Sequence, residues 1–175
     1  MTRRAIARRS LPWTDDAEVM APMQQRAGGW LLRRWRRTFP RFDDKRHFCL
    51  GIHDKADDRL LGYHIVALQD GAALLGVVVG ERAWWGRGVV AETRAELIRF
   101  LFETVGVARI WGAPSARNVP SIYNYRRLGF AYEGVLRGHR GAPGGGRADV
   151  AVFGLLRGEW LASRSPAGPP AGPPR

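Results

Sequence analysis

The sequence predicts an α+β fold with a mixed, mostly antiparallel sheet of seven strands and about four helices. In the middle of the chain, three short apolar runs follow one another with turn residues between them, which is typical of an antiparallel meander. After this meander, strand-like and helix-like periods alternate. With 175 residues, of which 45% are hydrophobic, the chain has the length and composition of one globular domain with a substantial core.

The first forty residues are predicted to contain one strand and two helices. We expect residues 6–11 to form a short first strand. Thr14 is a candidate N-cap for the first helix, because acidic residues follow it in the first turn. After a glycine pair at 28–29, residues 30–39 place Leu31, Trp35 and Phe39 at helical spacing with arginines on the other side. A proline at position 40 ends this second helix.

The remaining elements follow in a regular order. Asp70 and Gly71 form a strong hairpin signal between the second and third strands of the meander. The predicted strands are 48–52, 60–68, 72–80, 107–111, 130–136 and 150–156, the predicted helices are 89–103 and 120–128, and 141–147 is a flexible loop.

Several features of the whole sequence narrow the possible classes of protein. No run approaches the ~20 apolar residues of a membrane span, and the first residues lack the apolar centre of a secretion signal, so we expect a cytoplasmic protein. The single Cys49 cannot form an internal disulfide and is expected to be a buried thiol. With four histidines and no second cysteine, no metal site is expected. Residues 162–175 contain five prolines and are expected to be a disordered tail after a domain spanning 1–161.

The formal net charge is +12 and comes almost entirely from arginine, since Lys45 and Lys55 are the only lysines. The arginines cluster near the N-terminus and again between residues 26 and 46. Such a field favours anions, including phosphates, acidic peptides and nucleic acid. A solvated basic face without a dedicated partner is equally compatible with this pattern. For the helix at 30–39, packing on its own sheet is favoured over a membrane or nucleic-acid role.

A glycine turn joins the predicted strand 72–80 to the helix that follows it. Gly86 and Gly88 allow a ligand to approach the backbone, Arg87 can add a charge, and the unpaired amides of a helix N-terminus hold phosphate oxygens well. The turn is neither a nucleotide-triphosphate loop nor a dinucleotide fingerprint, because it lacks the Lys-Ser/Thr pair of the first and the third glycine of the second. It therefore predicts a diphosphate site of another type, or a glycine helix start without a ligand.

This turn resembles the pyrophosphate-binding loop of the GNAT N-acyltransferases. A second segment resembles the later motif of that superfamily through Asn118, Ser121, Tyr125, Gly129 and Phe130. Three further stretches, at 133–137, 149–153 and 155–160, are similar to the RimJ/RimL-like branch. The resemblance covers residues 5–161. It implies a three-layer α/β/α GNAT fold whose sheet splays between its fourth and fifth strands.

The resemblance also implies acetyl-coenzyme A (acetyl-CoA) as co-substrate, no metal, and direct attack of an amine on the thioester. A backbone N–H between Val78 and Gly80 would bind the thioester oxygen. Tyr125 would be the general acid for the leaving thiolate, or would only line the coenzyme. Ser121 would lie near the thiol, and Asn118 would contact the pantetheine arm or cap its helix. The implied coenzyme-binding residues are Val78, Val79, Trp84, Trp85, Gly86, Arg87, Gly88, Val89, Val90, Asn118, Ser121, Tyr125 and Arg126.

The general base is where the sequence departs from its relatives. Protein-alanine acetyltransferases carry a glutamate where this chain has Ala113, and RimL-like enzymes carry one where it has Arg140. The remaining candidates are Glu81, just before the glycine turn, and His139, beside the flexible loop, since a histidine titrates in the right range. A water chain or an acceptor amine of low pKa is the other alternative.

These observations predict an N-acetyltransferase acting on a primary amine of a small molecule, an amino acid or a peptide N-terminus. An acetyltransferase of a ribosomal-protein N-terminus and a coenzyme-binding module without turnover are the alternatives. An acidic or ribosomal partner would suit the arginine-rich face, whereas nucleic-acid binding through residues 33–37 is less favoured. The protein is expected to be a monomer or a homodimer.

Overall fold

The computed structural model of the chain describes residues 3–21, 45–142 and 145–164. It contains one six-stranded sheet with the strand order β1-β2-β3-β4-β6-β5. The strands are β1 (His47–His53), β2 (Leu60–Gln69), β3 (Ala72–Val79), β4 (Arg109–Gly112), β5 (Ala131–Gly141) and β6 (Arg147–Leu156). The helices are α1 (Arg3–Ser10), α2 (Ala17–Met20), α3 (Val89–Phe100), α4 (Val119–Arg127) and α5 (Arg157–Arg164). The predicted α+β class is confirmed.

The predicted first strand is wrong, because residues 6–10 belong to helix α1 and 11–14 form a 3-10 turn. Alanine and arginine, which are strong helix formers, make up three of the five residues at 6–10. One buried residue, Ile6, is enough to anchor the helix to the sheet. The described sheet therefore has six strands where seven were predicted, and the described helices number five.

Of two further N-terminal predictions, one is wrong and the other lies outside the described residues. Asp16, not Thr14, caps α2, since its Oδ1 accepts hydrogen bonds from the amides of Glu18 and Val19. Thr14 instead donates to the carbonyl of Leu11 at 2.7 Å, which closes the preceding turn. The predicted helix at 30–39, the glycine pair before it and the tail from 165 onward lie outside the described residues.

The predicted meander is confirmed. Strands β1, β2 and β3 pair antiparallel, and the hairpin between β2 and β3 turns at Asp70 and Gly71, whose φ values are 51° and 74°. Positive φ at both central residues is typical of the tight turns that match strand twist. The chain then crosses through α3 to β4, which runs parallel to β3, while β5 and β6 pair antiparallel.

The sheet splays between β3 and β4. Strand β4 pairs only with Ala72, Ala73 and Leu74, although β3 continues to Val79. The second half of β3 therefore has no neighbouring strand on that side among the described residues. This gap leaves backbone N–H and C=O groups of β3 without a strand partner at the centre of the molecule. A strand at the outer edge of a sheet exposes such groups to solvent instead.

Helices cover both faces of the sheet. On one face, Ile6 of α1, Trp13 of the 3-10 turn and Val19 of α2 pack on Tyr63 and Val78. On the other face, a larger core cluster joins the sheet to α3, α4 and α5. None of the described helices is long and apolar enough to cross a membrane. Cys49 is buried, as predicted.

Candidate active site

A cavity of about 1040 Å³ passes through the sheet at the splay. On one face it is lined by Val19 of α2 together with Ile65 and Leu74, and on the other by the start of α3 and one side of α4. Its full described lining is Val19, Ile65, Ala67, 74–79, Trp84, Trp85, Gly86, Gly88, Val89, Val90, Arg94, 113–115, Asn118, Pro120, Ser121, 123–125, Arg127, Arg140 and Gly141. Two ligands entering from opposite faces of the sheet would therefore meet between β3 and β4.

The glycine turn forms one mouth of this cavity. Gly86 and Gly88 have φ values of 73° and 79°, a left-handed conformation that costs a residue with Cβ about 1–2 kcal/mol. Gly88 is the N-cap of α3 and provides no side-chain cap, so the first amides of the helix are left for a ligand. An added Cβ at either glycine would meet nothing within 4 Å. The glycines are thus needed for chain direction, and the turn presents helix amides to the cavity.

The open edge of β3 forms the wall of the cavity at the splay. The carbonyl of Leu75 accepts a hydrogen bond from Tyr125, and that of Val79 accepts one from the indole of Trp85 at 2.9 Å. Because alternate residues of a strand direct their polar groups to the same edge, Val77 also faces the splay. Gly80 faces the other way, since its amide donates to Leu61 at 3.0 Å.

Tyr125 is the side chain that reaches the splay from α4. Its hydroxyl donates to the Leu75 carbonyl at 3.0 Å, and the residue is only 2% exposed. The ring stacks on Phe153 with 5.3 Å between centroids and meets Phe130 edge-on at 5.0 Å. Gly112 makes room for it, since a Cβ there would lie 1.9 Å from the hydroxyl oxygen. The hydroxyl is therefore held at a defined position by packing on three sides.

The start of α4 lies beside this hydroxyl. Asn118 caps the helix by accepting a hydrogen bond from the amide of Ser121 at 3.1 Å, and a proline at position 120 occupies the first turn, where its missing N–H is tolerated. Helical spacing then places Ser121, Asn124 and Tyr125 on the side that lines the cavity. The cap thus fixes which face of α4 the cavity meets.

Two buried polar residues lie at this part of the sheet, Arg94 in the cavity wall and His64 on β2. Arg94 of α3 is 1% exposed, and its Cζ lies 4.5 Å from the centroid of the Tyr125 ring. His64 of β2 places its Nε2 2.8 Å from the Thr93 hydroxyl, which itself donates to the Val89 carbonyl. Burial, and next the charge of Arg94, lower the pKa of His64 to about 3. His64 is therefore neutral and donates from Nε2.

Comparison with known proteins identifies the fold. The family model of the Acetyltransferase (GNAT) domain matches residues 4–131, which is more than half of the chain. The chain belongs to this family. As a GNAT protein it is an acyltransferase, and the family uses acetyl-CoA. No curated protein matches the sequence.

Solved structures share this GNAT fold at low sequence identity. A spermidine N-acetyltransferase from Vibrio cholerae in complex with CoA and spermine has a TM-score of 0.77 and 16% identity, covering 90% of this chain and 94% of that one. A GCN5-related N-acetyltransferase from Brucella melitensis has a TM-score of 0.75 and 20% identity, covering 92% and 75%. A GNAT-family acetyltransferase from Bacillus anthracis has a TM-score of 0.73 and 16% identity, covering 88% and 90%.

Most residues that the sequence assigned to the coenzyme line the cavity of this GNAT domain. Those residues are Val78, Val79, Trp84, Trp85, Gly86, Gly88, Val89, Val90, Asn118, Ser121 and Tyr125. Arg87 and Arg126 do not line it. The guanidinium of Arg87 lies 5.8 Å from the Trp84 ring, and Arg126 is exposed on α4. Their coenzyme contacts, like those of the other residues, stay predictions.

Neither candidate general base lines the cavity. Glu81 accepts a hydrogen bond from the indole of Trp13 at 3.3 Å. His139 is exposed on β5, and its carbonyl accepts from Arg147 at 3.0 Å. Ala113 and Arg140, the two positions at which the sequence departs from the pattern that it resembles, do line the cavity. Its described lining therefore contains no carboxylate and no imidazole.

The sequence did not single out Arg94, yet it held a signal for it. Val90, Leu97 and Leu101 form the apolar stripe of α3, and position 94 falls in the middle of this stripe at helical spacing. Because α3 continues to Phe100, a charged residue at position 94 lies on the buried face of the helix. Arg127 of α4 was missed as well, although it follows Asn124 at the spacing of the same helix face.

The described residues offer no group of three or more His, Cys, Asp or Glu that could hold a metal ion.

Proposed function

We propose that this GNAT protein transfers the acetyl group of acetyl-CoA to a primary amine by direct attack of the amine on the thioester. The observation that carries the proposal is the cavity that crosses the sheet at the splay, with the Tyr125 hydroxyl inside it. Donor and acceptor could enter from opposite faces and meet without a covalent enzyme intermediate. Such an arrangement turns a bimolecular reaction into one between oriented neighbours.

For the donor, the first amides of α3 and the turn at Gly86 and Gly88 suit the diphosphate, because a helix N-terminus binds phosphate oxygens. The pantetheine arm would follow the open edge of β3, where its amides can pair with Val77 and Val79 as an added strand would. Ser121 and Tyr125 would then lie beside the sulfur. The polar groups supplied by the chain match those of the coenzyme along this path.

For the chemistry, nitrogen attacks the thioester carbonyl, the new N–C bond forms, the C–S bond breaks with its electron pair going to sulfur, and the nitrogen loses its surplus proton to water. A β3 amide at the splay would bind the carbonyl oxygen as it gains charge. Tyr125 would give a proton to the departing sulfur. Within the predicted segment 78–80, Val79 is the residue whose amide faces the splay, because Gly80 pairs with Leu61.

For the acceptor, the described lining favours a small or peptide amine over a polyamine. Polyamines carry several positive charges and need carboxylates, whereas the cavity presents Arg94, Arg127 and Arg140 and no described acidic residue. A structural neighbour named as a spermidine N-acetyltransferase therefore does not predict the acceptor here. We propose the amine of an amino acid, a peptide N-terminus or a small molecule whose own carboxylate suits an arginine-lined cavity.

A coenzyme-binding module without turnover is the second candidate. The observation that favours it is the lack of a general base in the described lining, where Ala113 and Arg140 replace glutamates. An alkyl ammonium cannot attack until it loses a proton. An acceptor of low amine pKa, or a water chain to Glu81 or His139, would remove this obstacle.

Thiol release from acetyl-CoA with a panel of amines tests the proposal. The panel contains amino acids, peptides with free N-termini, the same peptides with blocked N-termini as matched controls, and spermidine. We expect release with free amines that carry a carboxylate and none with blocked peptides. Coenzyme binding without release on any amine would overturn the proposal in favour of the module, and release on spermidine alone would overturn the acceptor class.

A further inference from the structure

Arg94 is a buried cation that contacts the Tyr125 ring but has no ionic partner in the part of the chain that the structure describes. Its Nε and Nη1 have no hydrogen-bond partner, and none of the described salt bridges includes it. An arginine cannot lose its proton in a protein, so burial cannot be relieved by neutralisation as it is for His64. A desolvated charge persists only where an anion offsets the loss of water.

The groups that face Arg94 do not supply this anion. From β2 comes neutral His64, and from α4 comes the ring of Tyr125, whose hydroxyl donates to Leu75. On its own helix, the hydroxyl of Thr93 donates to Val89. The other charged groups of the described cavity lining, Arg127 and Arg140, are also cations. The anion that offsets Arg94 must therefore enter through the cavity.

The position of Arg94 indicates which anion this is. The guanidinium lies against the same aromatic ring whose hydroxyl sits at the splay, which is the point where the two mouths of the cavity meet. In acyl transfer to an amine, the negative charge that remains on the donor is on sulfur. The attacking nitrogen gives up its proton, and the sulfur carries the electron pair of the broken C–S bond until it is protonated.

We propose that Arg94 is an anion site in the wall of the cavity and that its ligand is the thiolate of coenzyme A. This inference rests on the proposed function. Arg94 stabilises the leaving group as a thiolate, so that departure of the sulfur does not depend on complete proton transfer from Tyr125. The charge acts from a buried position, where it is screened less than in bulk water.

A comparison of how tightly the protein binds two forms of the coenzyme tests the Arg94 site without any acceptor amine. Desulfo-coenzyme A has hydrogen in place of the thiol and cannot ionise there, while a free thiol has a pKa near ~8.5. We expect the wild-type preference for coenzyme A over desulfo-coenzyme A, measured by calorimetry, to rise about threefold between pH 6 and 8, which corresponds to a thiol pKa lowered by about one unit.

Variants at Arg94 show whether the charge of this residue causes the rise in preference with pH. Arg94→Met keeps an unbranched side chain without the charge and should make the preference independent of pH, whereas Arg94→Lys should keep part of the rise. Arg99→Met is the matched control, because Arg99 lies on the same helix, is exposed and pairs with Glu96. It should behave as wild type. A rise in Arg94→Met equal to that of wild type would overturn the proposal.

Should Arg94→Met not fold, the wild-type measurement can still overturn the site, and Arg94→Lys still tests whether the charge causes the rise. Equal affinity of the two coenzymes at every pH overturns the thiolate site and leaves the proposed function standing. Binding of neither coenzyme overturns both. A preference that rises with pH in wild type and is lost on removing the charge supports the site.

Discussion

The hydroxyl of Tyr125 donates to the carbonyl oxygen of Leu75 at 3.0 Å and so connects α4 to the open edge of β3. The two residues are fifty positions apart in the chain. The carbonyl would otherwise lack a strand partner, because β4 pairs with β3 only as far as Leu74. This hydrogen bond therefore orients the proposed acid and gives the Leu75 carbonyl of the splayed strand a donor.

Tyr125→Phe removes this hydroxyl while keeping the stacked ring. We expect turnover to fall about 10²-fold or more, in the range of a lost general acid, with little change in the KM for acetyl-CoA. Stability should drop by about 1 kcal/mol, since the Leu75 carbonyl loses its donor. Thiol-release kinetics and urea unfolding measure the two effects. Tyr132→Phe, on exposed β5, is the control, and a Tyr125→Phe enzyme with wild-type turnover would remove Tyr125 as the acid.

Gly112→Ala perturbs the same hydroxyl from the other side. The new Cβ would lie 1.9 Å from the Tyr125 oxygen and 2.2 Å from its Cζ, so the ring must move. Overpacking of this kind costs about 1–3 kcal/mol of stability, and turnover should fall as it does in Tyr125→Phe. Combining the two changes should lower turnover no further than either alone. Gly158→Ala, where a Cβ meets nothing within 4 Å, should retain wild-type turnover.

Gly88→Ala tests the turn at the start of α3. The φ of 79° disfavours alanine by about 1–2 kcal/mol although space is available, so the turn should relax and the first helix amides should move. We expect the Kd of coenzyme A to rise about tenfold, the equivalent of 1.4 kcal/mol. Gly88→Asn is the matched variant, because asparagine tolerates this conformation. If alanine and asparagine bind coenzyme A equally well, backbone conformation is not what the glycine provides.

The features that could be predicted from the sequence are those set by local chemistry. The hairpin at Asp70 and Gly71, the glycine turn before α3 and the Asn118 cap all depend on residues within a few positions of one another. Their consequence, that most of the proposed coenzyme residues share one cavity, followed from the resemblance to the GNAT family.

Features set by distant packing could not be predicted. The position of α1 on the sheet is one example, because Ile6 docks on β1 and β2 from far along the chain. Position 81 was a candidate base by its place before the turn, but the indole of Trp13, sixty-eight residues away, holds its carboxylate. The burial of Arg94 depends on Tyr125 and His64, which come from two other elements.

His64 should make the protein sensitive to acid. Its pKa is lowered to about 3 in the folded protein, whereas in the unfolded chain a histidine titrates near ~6.5. Below that pH the unfolded state binds a proton that the folded state does not, so stability falls as pH decreases from about 6.5 toward 3. The slope for one proton is about 1.4 kcal/mol per pH unit, which gives a loss of about 2 kcal/mol at pH 5.

The His64→Gln variant isolates this contribution, because glutamine can still hydrogen-bond the Thr93 hydroxyl and does not titrate. The free energy of unfolding of both proteins, measured in urea between pH 5 and 8, should differ by a constant amount above pH 7. Below pH 6.5 the wild type should lose stability faster, until the difference has changed by about 2 kcal/mol at pH 5. In Arg94→Met the loss should be smaller, because the nearby positive charge that helps to lower the pKa of His64 is gone. A difference between wild type and His64→Gln that stays constant down to pH 5 would show that His64 takes up its proton in the folded state, contrary to its burial beside Arg94.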